Sequence, residues 1–245
     1  VTRGQRLWLL AVGLAGVAVL LVTAYTGLPD FGAAFHPYGD RAVHASLARH
    51  TANVISSINF DQRGYDTLGE ESILFGAVLG TVVLLRQTRD ERQVDPAPAL
   101  VLPAVRRYAL YLLPVTLVVG LYVVAHGQLS PGGGFQGGVV TATALHLLYI
   151  AVDYHALERI RPMGLYEIGD AAGEGAYLLL GAAGLLGGTS FLANFLPLGT
   201  FNTLSSGGTV PLLNAAIGME VACAVVVLLA RFLDQAVEIE GRGEK

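Results

Sequence analysis

The sequence predicts an all-α integral membrane protein of about six transmembrane helices, both termini cytoplasmic, with an amphipathic outer segment. Three observations carry that prediction. Hydrophobic residues fill 53% of the 245 positions and charged residues only 14%, whereas soluble domains are about a quarter charged and need that skin. Mean hydropathy is +0.56, and several apolar stretches are long enough to cross a hydrocarbon core. Basic residues are also spread unevenly between the segments that join those stretches.

The same composition excludes other classes. Fifteen bases against nineteen acids give a net charge of −4, with no basic stripe for a phosphate backbone, so no nucleic-acid partner is expected. A single cysteine, Cys223, leaves no disulfide framework, no Cys-x-x-Cys site and no haem or iron–sulfur pattern. It lies in the apolar run Val221–Leu229 and reads as a small buried hydrophobe. Neither a cofactor nor a metal site is expected.

The first span runs from about Leu7 to Tyr25 behind Arg3 and Arg6. Its core is long for a signal peptide and no small-x-small cleavage site follows closely, so it reads as a retained helix. The second runs from near Thr67 to Arg86, with Glu70 and Glu71 in its opening turn. Tyr108–Val152 and Gly175–Met219 are each free of Asp, Glu, Lys and Arg and too long for one span of about 20 residues. Glycine marks where each folds back, at Gly127–Gly134 and across Pro197–Gly208. Spans three to six therefore fall near Tyr108–His126, Phe135–Val152, Glu174–Ala193 and Pro211–Leu233.

With both termini inside, twelve basic residues lie in or beside inner segments, and only Arg41, Arg49 and Arg63 lie outside. That is a strong positive-inside bias. Asp90–Pro103 is charged and then proline-rich, and reads as a linker. It divides a two-helix unit (1–89) from a four-helix unit (104–235), followed by an acidic tail (236–245). Between spans one and two, Val43, Leu47, Val54, Ile55 and Ile58 recur at helical spacing, which suggests one amphipathic helix along the membrane surface or a partner.

Polar residues inside the spans are the functional candidates. Glu220 falls near the bilayer centre, where a carboxyl group is protonated, paired or facing a polar cavity. Its two readings are a neutral interhelical hydrogen-bonder and an ion relay. Glu70 lies three residues past Thr67, as a capping box requires with Thr67 as N-cap, and reads either as an interfacial anchor or as a point of ion access. Glu174, at the inner start of span five, carries the same two readings. His146 lies mid-span in an apolar run and reads as a neutral hydrogen-bonder or a relay. Neither it nor His126, His155, His36, His44 or His50 has metal-ligand spacing. Pro131-Gly132-Gly133-Gly134-Phe-Gln-Gly137-Gly138 is no phosphate loop, since no Gly-Lys-Ser/Thr follows. It suggests close packing or a half-unwound start to span four.

His126-Gly-Gln-Leu-Ser-Pro-Gly-Gly-Gly-Phe-Gln-Gly-Gly138, with Pro197-Leu-Gly-Thr and Ser206-Gly-Gly-Thr-Val-Pro-Leu-Leu-Asn214, resembles the MnhB-type subunit of the multisubunit Mrp-type cation/proton antiporters, a four-helix unit. Asn53-Val-Ile with Phe60-Asp-Gln-Arg-Gly-Tyr-Asp66-Thr-Leu-Gly69-Glu70 resembles the C-terminal segment of the A-type subunit of the same complexes. That segment also occurs as a small separate protein in related membrane-bound hydrogenases. The resemblance spans most of the chain and implies an accessory or path-forming component of a monovalent cation (Na+)/proton antiporter in the inner (plasma) membrane. The implied partners are the other antiporter subunits, including large complex I-like proton-translocating ones, together with Na+, H+ and lipid. With one lysine, Lys245, the chain lacks the buried lysine relay of those large subunits, and it is not expected to be an enzyme. The alternatives are a membrane component of an energy-coupled hydrogenase or related complex I-like oxidoreductase, and a scaffold with no ion path.

Overall fold

The computed structural model describes residues 3–28, 32, 36–86, 91–93, 101–151, 162–186, 189–233 and 237–239. The chain divides into two compact units, Val1–Asp40 and Arg41–Lys245. In the first unit, helix α1 (Arg3–Thr26) is apolar after its opening turn. The hydroxyls of Thr23 and Thr26 donate to carbonyls one turn earlier, which satisfies them without water.

The remaining helices are α2 (Pro37–Ala48), α3 (Val54–Ser57) with a π-helical turn (Ile58–Gln62), α4 (Gly64–Leu84), α5 (Pro103–Ala125), α6 (Gly134–Ala151), α7 (Met163–Leu186) and α8 (Val210–Leu233). A three-residue antiparallel pair, β1 (Glu91–Gln93) with β2 (Val237–Ile239), is the one exception to an all-helical chain among the described residues. Four helices, α1, α4, α5 and α8, are long and apolar enough to cross a membrane. The chain is thus a multi-pass membrane protein, and four of the six expected spans are clearly apolar. The other two are helical but more polar: α6 carries Gln136, two threonines and His146 in 18 residues, and α7 carries three acids.

Helix α8 is the centre of the second unit and packs on α4, α5, α6 and α7. Small residues let these backbones approach, as membrane helices require. A Cβ on Gly138 of α6 would lie 2.8 Å from Val221 Cβ and 2.9 Å from Gly218 O of α8. Gly137 sits equally tightly against Gly120 O and Val124 of α5. The apolar core joins Phe60, Tyr177, Leu213, Ile217 and Val221, with a second cluster around Val78, Ala224 and Val227.

Several expectations change. The single amphipathic helix over 43–58 is broken: α2 ends at Ala48, His50 turns at φ 55°, and Asn53 starts α3 by accepting from the amides of Ile55 and Ser56. Thr67 is no N-cap, because the π-helical turn runs almost directly into α4 at Gly64, leaving Thr67 inside the helix with its hydroxyl donating to Asn59 O at 2.7 Å. Glu174 stands in the middle of α7 and not at its start, since the helix begins eleven residues earlier at Met163. The glycine-rich start of α6 is unwound only at Gly132 and Gly133, with φ of 148° and 143°; from Gly134 onward, through Gly137 and Gly138, it is regular helix. The linker positions 94–100, His155, Arg159, Arg161 and the tail beyond Ile239 lie outside the described residues.

Candidate functional site

The phase of α4 decides which glutamate turns inward. Its buried residues are Gly64, Thr67, Glu71 and Val78, a stripe at i, i+3, i+7 and i+14. Glu71 is on that stripe, and Glu70, rotated by about 100°, is exposed. On α7 the buried face reads Asp170, Gly173, Glu174, Tyr177, Gly181 and Gly184, again one stripe at helical spacing. Glu220 lies on the face of α8 shared with Ala216 and Ile217 and is fully buried.

These three faces meet. Glu71, Asp170, Glu174 and Glu220 all lie within electrostatic reach of one another. Glu71 and Glu220 are 1% and 0% exposed. Gly173 makes the approach possible, because its α carbon faces Glu220 across the helix crossing. Ser72 Oγ donates to Glu174 Oε1 at 2.8 Å, and Tyr177 closes the hairpin side by donating to Gly64 O at 2.9 Å. The second oxygens of Glu71 and Glu174, Asp170 Oδ1 and both oxygens of Glu220 have no hydrogen-bond partner among the described residues.

Among the described residues no base balances this group. Arg231, the basic residue of α8, pairs with Glu167 one turn of α7 before Asp170. It stands eleven residues from Glu220, about 16 Å along the helix. Four ionised carboxylates in a dry site would each cost several kcal/mol and repel one another. Protons, a cation or water relieve that cost. Two carboxylates are acceptors only, so the facing Glu71 and Glu220 share a hydrogen bond only when one carries a proton. The described residues hold no group of three His, Cys, Asp or Glu that could fix one metal ion.

A cavity of about 250 Å³ leads to Glu71 from the hairpin end. Its walls include Ser56, Asn59, Glu70, Gly132–Gly134, Gln136 and Asn214, and no Lys, Arg or His is among the described residues that line it. That is room for several waters beside two carboxyl groups. A larger hollow of about 550 Å³ is lined by Arg49, Asp61, Arg63 and Asn194. Its Arg49–Asp61 contact is 3.8 Å. Burial pushes the Asp61 carboxyl above the usual range, while Arg49 and a hydrogen bond with Asn194 pull it down.

The residues expected from sequence separate accordingly. Glu220 and Glu174 come together, Glu70 stands at the cavity wall, and His146 on α6 is not among the groups that act on Glu220. Glu71, the neighbour of Glu70 in the opening turn of span two, takes the inward place, and Asp170 joins the site without having been expected there. The spacing of Glu167, Asp170 and Glu174, at i, i+3 and i+7, was the available signal, since it puts three acids on one helix face. Asp66 pairs with Arg63. A Cβ on Gly69 would meet open space. Pro131 lies in the turn before the two unwound glycines. Asn214 reaches across to Gly134 and Ser56.

Known proteins share this architecture. The family described as a domain related to the MnhB subunit of Na+/H+ antiporter matches residues 104–227. An uncharacterized protein of Methanocaldococcus jannaschii is 30% identical over 198 residues, 69% of this chain and 72% of its own length. A probable K+/H+ antiporter A/B subunit of Rhizobium meliloti is 28% identical over 198 residues, 68% of this chain but 19% of that longer protein. Among solved structures, a chain of the membrane-bound sulfane sulfur reductase, an archaeal respiratory membrane complex, superposes with a TM-score of 0.72 and 26% identity, covering 94% of this chain and 99% of that one.

Proposed function

Because the chain belongs to the family of domains related to the MnhB subunit of Na+/H+ antiporters, a family of transporter subunits and not of enzymes, we propose that it forms part of the ion path of a multisubunit, energy-coupled membrane complex. The observation that carries this reading is the position of Glu71. It lines the cavity at one end and belongs to the buried carboxyl group at the other. A cation or proton arriving through the cavity meets Glu70 and Glu71 first, then Glu220 and Glu174, then Asp170. Each carboxyl group binds a proton or a monovalent cation in turn, and a lining of carboxylates without a described base keeps the cavity attractive to cations.

In this reading α6 and α7 also cross the bilayer, which makes six spans. The hairpin end faces outside and both termini face the cytoplasm, as the twelve-to-three distribution of bases supports. The chain then joins a segment like the end of the antiporters' A-type subunit (1–89) to an MnhB-like unit (104–235), and the fused name of the Rhizobium relative supports that division. Its partners are large complex I-like subunits, and the ions are H+ and Na+ or another monovalent cation.

Of the two settings for such a component, a complex I-like respiratory oxidoreductase is the better supported. The likeness to the reductase chain runs nearly end to end on both sides and rests on sequence identity as well as shape. A self-standing antiporter is the second reading, favoured by the family match and the named antiporter relative. Purifying the intact complex through a tag on this chain and identifying its subunits by mass spectrometry decides between them. Iron–sulfur or other redox subunits are expected, and a complex of antiporter subunits alone would establish the second reading. Under either setting Glu71→Gln is expected to block coupled ion movement without dispersing the complex, and normal transport would refute the path.

A further inference from the structure

Asn214 is fully buried one helical turn into α8, and both polar atoms of its side chain are engaged. Its Oδ1 accepts from the backbone N–H of Gly134 at 2.8 Å. Its Nδ2 donates to Ser56 Oγ at 3.1 Å and to Val210 O at 3.2 Å. The Gly134 amide opens α6, where no intrahelical acceptor exists for it, so the asparagine supplies the missing partner. Turning the amide over would set its NH2 against that N–H, which fixes its orientation. The hairpin is cut to fit: a Cβ on Gly127 would lie 2.6 Å from Asn214 Oδ1, and one on Gly133 would lie 3.3 Å from it.

Ser56 and the Gly132–Gly134 segment line the cavity that ends at Glu71, and Asn214 lines it beside Ile217. The asparagine is therefore a crossbar tying α3 to the hairpin, with Gly134 and Ser56 80 and 158 residues away from it in sequence. We propose that Asn214 is a positioning residue that sets the spacing of these two walls and thereby the ease with which a hydrated monovalent cation reaches Glu71; this rests on the ion-path reading above. An amide suits the task because it bonds both walls without adding a charge beside Glu70 and Glu71. Its loss alters the approach of the cation and leaves the acids themselves in place.

The test uses the whole complex in sealed vesicles, with Na+ and then K+ as the varied ion. Asn214→Leu keeps the bulk and breaks all three bonds. The apparent KM for the cation is expected to rise about five- to tenfold, the worth of about one net buried hydrogen bond, with the maximal rate nearly unchanged. Asn214→Asp keeps the acceptor for Gly134, and the Ser56 hydroxyl can turn to donate to it; it gives up the bond to Val210 O and adds a negative charge to the wall, which favours a cation, so its KM should not rise above the parent value. A purely structural residue would instead lose assembled complex or maximal rate at constant KM. If Asn214→Leu does not assemble, Ser56→Ala decides, because it cuts only the tie to α3 and is expected to raise KM about two- to fivefold. An unchanged KM in whichever of these assembles, or an Asn214→Asp variant with KM raised as far as that of Asn214→Leu, overturns the proposal. Glu71→Gln separates the two claims. Normal transport by that variant defeats the path itself, whereas its failure beside an unchanged KM at position 214 defeats only the crossbar.

Discussion

Gly173 offers the most quantitative test of how the carboxyl groups are brought together. A Cβ there would lie 2.5 Å from Glu220 Cβ and 2.8 Å from both Glu220 Cα and Ala216 O. Ordinary carbon contacts begin at about 3.5 Å, so the shortfall is about 1 Å. Two of the three atoms are backbone and cannot rotate away, which leaves separation of α7 from α8 as the response. Overpacking of this kind costs about 1–3 kcal/mol, while replacing a helical glycine returns about 1 kcal/mol. Gly175 on the same helix provides the control, because a Cβ there meets nothing within 4 Å and Gly175→Ala collects the propensity gain alone. Gly173→Ala should therefore be less stable than Gly175→Ala by about 1–3 kcal/mol. Heating the purified complexes and measuring the fraction still assembled reads that difference, and coupled transport should fall in Gly173→Ala because Glu220 has moved from Glu174. Equal melting and equal transport in the two variants would refute the close α7–α8 crossing at the acids.

Two further outcomes are expected. Asp61 binds its proton more tightly folded than unfolded, since burial raises its carboxyl. Its contribution to the stability of residues 42–62 is therefore present below the unfolded carboxyl range and lost as pH climbs through the higher folded value. Amide exchange of residues 42–62, corrected for intrinsic rates, should speed up as pH rises from about 4 to neutrality, and Asp61→Asn should flatten that slope; an identical slope would exclude Asp61 as its source. The orientation is checked with Ser130→Cys in a Cys223→Ala background. An impermeant thiol reagent should reach the hairpin from outside intact cells, and labelling only from the cytoplasmic side would reverse the topology.

The helical class, the fold-back at Gly127–Gly134 and the place of Glu220 in the middle of a long apolar helix were legible in the sequence, because apolar run length and glycine clusters act locally. Helix phase was less accessible. Glu70 and Glu71 are adjacent, and only the start of α4 at Gly64, set by the π-helical turn before it, determines that Glu71 faces inward. Asp170 escapes a reading that begins span five at the last acid before a charge-free stretch. The helix in fact continues back through Asp170 and Glu167; Arg231 pairs with Glu167, and Asp170 sits beside Glu174. Asn214 stands out as a motif residue, but its partners lie on segments far away in the chain, and no local spacing encodes them. The membership of one carboxyl group drawn from α4, α7 and α8 is a property of packing, carried by small residues such as Gly173 and not by the acids.

The most direct measurement of the central claim compares Glu70→Gln, Glu71→Gln and Glu220→Gln in the intact complex. Each change keeps shape and hydrogen-bonding capacity but removes a group that can gain and lose charge. Coupled ion movement should be read in sealed vesicles at limiting and saturating sodium, alongside the amount of assembled complex. Glu71→Gln and Glu220→Gln are expected to lower the maximal rate by at least about tenfold, equivalent to about 1.4 kcal/mol of lost stabilisation on the path, with assembly intact. Glu70→Gln, at the exposed cavity wall, should act mainly at limiting sodium. Transport at the parent rate by both Glu71→Gln and Glu220→Gln, under both sodium conditions, would contradict the account.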